Sequence, residues 1–112
     1  MVEGRTDRLG SVLSAVSDAT RRSILARLAD KPIRVGDIAA HYPISLNAVS
    51  KHLKVLEEAG LVRRSRRGRE HILALTAAPL REVAQWALSY QRFWSGKLDR
   101  LESYFADRDR KS

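Results

Sequence analysis

Apolar positions recur at intervals of three and four along most of this chain and alternate in a single short segment. Leu9, Val12, Leu13 and Val16 mark one face of a short helix, preceded by the polar stretch Met1–Thr6, which is expected to fray. Asp18 is placed to cap a second helix, DATRRSILARLAD, whose buried stripe is Ile24, Leu25 and Leu28. Arg21 is expected on the solvated or ion-paired side of that helix, and Arg22 is more naturally a surface charge than a phosphate contact. Lys31-Pro32 interrupts the chain. Val35, Ile38, Ala39 and Tyr42 then fall at i, i+3, i+4 and i+7, a short amphipathic helix.

Pro43 disfavours helical geometry at Tyr42, so HYPI reads as a turn. A further helix starts at Ser45, whose hydroxyl can accept a bond from a first-turn amide, and ends near Gly60. Leu46, Val49, Leu53 and Leu56 are its expected core stripe. Helix, tight turn and helix form a helix-turn-helix pair. Beyond it, LVRRSRRGREHILAL reads as a β-hairpin with Gly68 at the tip and a return strand through His71, Leu73 and Leu75. From Ala77 to Phe105 the pattern is helical again, with Pro79 in the first turn.

The expected fold is therefore mainly α with a small two-stranded β-hairpin, in the order α-α-α-α-β-β-α. Residues 1–106 form one unit, and the polar residues 107–112 a disordered tail. On the last helix Leu80, Val83, Ala87, Tyr90, Trp94, Leu98, Leu101 and Phe105 step at close to 3.5 residues, almost a coiled-coil seam. Such a helix spans roughly 40 Å, more than a domain of this size can cover. A homodimer follows as the expectation. Its interface combines Leu9, Val12, Leu13 and Val16 of the first helix with Val83, Tyr90, Trp94, Leu98, Leu101 and Phe105 of the last.

Composition narrows the chemistry. The 112 residues carry a formal charge of +8, which favours an anionic partner. The absence of cysteine excludes disulfides, thiolate metal sites and a thiol nucleophile. His41, His52 and His71 fall in different elements without ligand spacing, so neither metal nor cofactor is expected. The chain shows no nucleophile–base pair and no glycine-rich phosphate loop, and an enzyme is not expected. The N-terminal residues lack the apolar run of a signal peptide and no segment approaches a membrane span; a cytoplasmic protein is the expectation.

The helix from Ser45 has the makings of a major-groove reader. Opposite its apolar stripe stand Asn47, Lys51, Lys54 and Glu58, with Ser50 and His52 on the flanks. A charge run in a hairpin is often only a solvated edge that blocks aggregation. Here Arg63, Arg64, Arg66, Arg67 and Arg69 crowd one tip directly after such a helix, and phosphates explain them better.

DATRRSILARLAD, VGDIA, SLNAVSKHLKVLEEAGLV, the arginine hairpin and YQRFWSGKLDRLESYF together resemble the ArsR-type winged helix-turn-helix repressors, from about Leu9 to Phe105. The missing cysteines and the FW…LDRLE helix resemble the subgroup that does not sense metals. The resemblance implies a homodimer on a pseudo-palindromic double-stranded DNA operator, usually repressing transcription. It places Asn47, Ser50, Lys51 and His52 near bases or phosphates, Ser45 and Lys54 near the backbone, and Arg66, Arg67 and Arg69 along the adjacent minor groove. For His52 the competing reading is a histidine packed on the neighbouring helix. Two other functions keep the fold: an organic inducer held among Trp86, Tyr90, Phe93 and Trp94, and a basic protein- or RNA-binding adaptor.

Overall fold

A computed structural model describes residues 2–111, with side chains described for residues 8–110. Met1 and Ser112, the outermost residues of the expected frayed start and polar tail, lie outside the described residues. The elements are α1 (Val2–Val16), α2 (Ala19–Leu28), β1 (Ile33–Arg34), α3 (Val35–His41), α4 (Leu46–Glu58), β2 (Val62–Arg67), β3 (Glu70–Leu75) and α5 (Ala78–Lys111). The architecture is mainly helical with a small antiparallel hairpin, as the sequence pattern implies.

Local chemistry sets most boundaries. Asp18 accepts from the amide of Arg21 at 3.0 Å and starts α2. Ser45 accepts from the amide of Ala48 at 3.1 Å and starts α4. Tyr42 is extended (φ −107, ψ 136), as the following proline requires, and its hydroxyl lies 2.8 Å from Ser23 Oγ of α2. At the end of α4, Gly60 takes φ 75 while its amide and that of Leu61 bond back to the carbonyls of Glu57 and Leu56. This closure needs a residue without Cβ strain. Gly68, at φ 61, is the first of the two residues that turn β2 into β3, with Arg67 paired to Glu70.

One core gathers these elements. Val12 and Ala15 of α1, Ile24, Leu25 and Leu28 of α2, Ile38 of α3, and Val49, Leu53 and Leu56 of α4 pack with Leu61, Val62 and Leu73. Val16, Val35, Ala39, Tyr42, Leu80 and Val83 close its rim. Removing a side chain such as Leu53, which is fully buried, costs about 2–5 kcal/mol.

Several expectations are corrected. The hairpin gains a third strand: β1 pairs with β3 through Ile33↔Leu73 and Arg34↔Ile72, giving the order β1-β3-β2. Helix α1 begins at Val2 instead of following a frayed stretch, and α5 runs on to Lys111, through residues expected to be disordered. Leu46 does not join the core; it is 65% exposed, because the first turn of α4 overhangs the core's edge. Val12, expected at a subunit interface, is 1% exposed within its own chain and has no surface to offer. Arg21 is not a solvated surface charge: it is half-buried and binds the carboxyl end of α1.

Helix α5 gives the molecule its shape. Among the described residues, Leu80 and Val83 are the apolar side chains of α5 that pack on the core, and a bridge of 3.3 Å between Arg8 and Glu82 ties the helix to α1. Every residue from Ala84 to Arg110 is exposed. The radius of gyration is 19.4 Å, against about 13 Å for a compact chain of this length.

Candidate nucleic-acid interface

The outward face of α4 presents Asn47, Ser50, Lys51 and Lys54, all exposed. Their exposure follows from the same periodicity that buries Val49, Leu53 and Leu56 on the opposite side. Ser45 is engaged as the cap, so its hydroxyl already accepts a backbone bond at the leading end of the helix. His52 stands apart from this group. Its side chain is 20% exposed and turned toward α2, where Nδ1 lies 3.2 Å from the Arg21 guanidinium and 3.7 Å from Asp18 Oδ2. Since a guanidinium can only donate, Nδ1 accepts, which leaves Nε2 as the ring's remaining polar atom.

Arg21 is the centre of this corner. Its Nε donates to the carbonyl of Ala15 at 2.7 Å and a terminal nitrogen to that of Ser14 at 3.1 Å. Arg22 donates to the carbonyl of Val16 at 2.7 Å. The last carbonyls of α1, which have no partner within their own helix, are thus capped by two arginines of the next. The Asp18 carboxyl is held below its ordinary pKa, first by the Arg21 amide, against an opposing burial effect that ranks second, with the Arg21 charge and the Thr20 amide adding to the lowering.

The arginines of the wing divide by strand face. Arg64 and Arg66 share the side of Leu73 and His71, while Arg63, Ser65 and Arg67 lie on the side of Ala74, Ile72 and Glu70. Arg64 is committed: Nε and a terminal nitrogen donate to Glu57 Oε1 at 3.0 and 2.6 Å, bolting the wing to α4. Arg66 donates to the carbonyl of Gly68 at 3.0 Å and stiffens the tip. Glu70 binds Arg34 of β1 at 3.2 Å. Among the described residues, Lys51, Lys54, Arg63, Arg67 and Arg69 meet no carboxylate. The sequence groups these arginines on one hairpin but cannot separate members that hold the protein together from those that meet no carboxylate. The Arg64–Glu57 pair spans two elements and leaves no periodic trace.

The structure brings the residues expected on α4 and the wing to neighbouring elements joined by the Arg64 bridge. It leaves the aromatics of α5 without an enclosure. Trp86 borders a groove of about 410 Å³, with Arg8, Leu9, Glu82, Gln85 and Ser89. Among the described residues, no three His, Asp or Glu side chains are arranged to hold a metal ion. None of the described helices is long and apolar enough to cross a membrane.

A capped outward helix after a tight turn, followed by an arginine-rich hairpin, defines a winged helix-turn-helix protein, a DNA-binding class. Residues 16–65 match the helix-turn-helix domain family. The chain is 34% identical over 82 residues to the transcriptional repressor SdpR of Bacillus subtilis, covering 73% of this chain and 91% of that protein. It is 40% identical over 84 residues to the HTH-type transcriptional regulator Rv2034 of Mycobacterium tuberculosis, covering 75% and 76%. The solved structure of an ArsR-like transcriptional regulator from Rhodococcus sp. RHA1 superposes with a TM-score of 0.73 at 31% identity, covering 89% of this chain and 94% of that one. The chain belongs to the ArsR-type family of winged helix-turn-helix transcriptional regulators.

Proposed function

We propose that two copies of this chain, joined along α5 and the exposed part of α1, bind a pseudo-palindromic operator and repress transcription from it. The reading is supported first by α5, a 34-residue helix whose own core reaches only Val83. Beyond that point Phe93 is 60% exposed, Leu98 56% and Phe105 53%. Tyr90, Trp94 and Leu101 continue the same stripe, and a second copy of the seam is the surface that matches it. Leu9, Leu13 and Val16, half-buried on α1, extend it toward the core.

In this arrangement Asn47, Ser50 and Lys51 meet base edges, and Ser45 and Lys54 lie at the backbone. Arg67 and Arg69, with the tip-bound Arg66, follow the adjacent minor groove or its phosphates. His52 acts one step back, through Arg21, and offers DNA at most its Nε2. The protein works by binding and not by catalysis. As a regulator of transcription it acts in the cytoplasm, where bacterial regulators of this kind find their DNA. The resemblance of SdpR, named as a repressor, supports repression over activation.

Selection of duplexes from a random pool, with sedimentation of wild type and Leu98→Asp in parallel, tests the reading. Two inverted half-sites spaced by about 10 base pairs are expected, together with a dimer that Leu98→Asp dissociates. A wild-type monomer at binding concentrations, or retained duplexes without two-fold symmetry, contradicts it.

A further inference from the structure

The leading end of α4 carries two branched apolar side chains in water. Ile44 is 41% exposed and Leu46 65%, one on each side of the capping Ser45. Neither is needed for the helix, which Ser45 already caps, and a polar residue at the first helical position would avoid the exposure. Side chains tilt toward a helix's N-terminus, so Leu46 projects ahead of the helix and not along its flank. Asn47 and Ser50 come next on the outward side, and Lys51 and Lys54 follow further along the same helix, all exposed.

This mixture selects its occupant. A protein partner covering Leu46 would have to desolvate or pair the nearby lysines. A duplex meets both demands at once, with phosphates for the lysines and, on the floor of the major groove, one apolar group per A·T pair, the thymine C5-methyl. In helix-turn-helix proteins the N-terminal residues of this helix reach base edges. We propose that Leu46, flanked by Ile44, is a specificity-determining residue that reads thymine methyl groups in the operator. The assignment rests on the DNA-binding reading above and adds to it a base preference that the polar residues of α4 do not supply.

The test uses the full chain and a duplex obtained by selection from a random pool. Each thymine of a half-site is replaced by deoxyuridine, which removes the methyl group and keeps every hydrogen-bonding atom. Wild type is expected to lose about threefold to fivefold in affinity at one or two thymines per half-site, the size set by burial of one methyl group. Leu46→Ala is expected to bind the thymine operator more weakly and to be indifferent to uridine at those same positions. Its salt dependence should match wild type, since no phosphate contact is lost. Position 46 is exposed, so the variant folds, and an unchanged urea transition verifies it. Wild-type indifference to every uridine, or equal losses in Leu46→Ala, overturns the assignment while leaving operator binding intact. A chain that retains no duplex from the pool overturns both.

Discussion

The guanidinium of Arg21 and the ring of His52 meet at 3.2 Å, and through them the outward helix α4 is tied to the carboxyl end of α1. Arg21 supplies the two carbonyl bonds, to Ala15 and Ser14, and His52 only receives. The two residues should therefore differ when removed.

Arg21→Ala is expected to destabilise the fold by about 2 kcal/mol, because two carbonyls lose a charged donor together. His52→Ala should cost about 1 kcal/mol or less. Arg21→Lys should recover only a minor part, since an ammonium cannot reproduce the fork. Urea unfolding of the three variants decides the matter; equal losses for Arg21→Ala and His52→Ala would contradict the geometry.

The wing arginines should separate in the same way. Arg67, free of any carboxylate partner among the described residues, is expected to lower the log–log salt slope of DNA binding by about 0.9 when changed to Ala. Arg64→Ala should barely alter that slope, because the side chain is spent on Glu57 at 2.6 Å. It should instead loosen the wing, read as faster amide exchange in β2 and β3. Titrations at several salt concentrations distinguish the two.

Gly60 closes α4 at φ 75, and a Cβ there would meet only Pro79 Cγ at 3.9 Å, an ordinary contact. Gly60→Ala therefore costs the conformational term alone, about 1–2 kcal/mol. A loss well above that in thermal unfolding would mean that packing against α5 is tighter than the distance implies.

Asp18 gives the fold an acid dependence. Its carboxyl is held below the ordinary aspartate value by the Arg21 amide first, with the Arg21 charge and the Thr20 amide adding to it against the opposing effect of burial. A lowered folded pKa means that the unfolded chain binds the proton more readily, so stability rises with pH across that interval. The contribution is complete above about pH 3.9 and is lost as pH falls through the lowered value. Asp18→Asn keeps a capping oxygen but not the charge. Its deficit relative to wild type should shrink between about pH 6 and about pH 3 in urea titrations.

The elements whose cause is local were legible in the sequence. Asp18 and Ser45 announce two helices, Pro43 the turn, and Gly60 and Gly68 the two positive-φ positions. What the sequence hid depends on neighbours far along the chain. Strand β1 has two residues, too few to alternate, and becomes a strand only because β3 has a free edge. Leu46 fits the apolar stripe by spacing, yet periodicity cannot say where a core stops beneath a helix. Arg21 and His52, 31 positions apart, find each other only after α2 and α4 pack. On the site, periodicity separated the exposed Asn47, Lys51 and Lys54 from the buried face, and placed His52 on a flank without showing which way its ring turns.

The overhang of α5 ties thermal behaviour to how much protein is in the tube. From Ala84 to Arg110 the helix stands in water within one chain, and an unsupported helix of that kind melts readily. Under the dimer proposed above, its distal turns should fray from Lys111 inward on dilution and anneal as a second copy covers them, so the melting temperature is expected to climb with concentration.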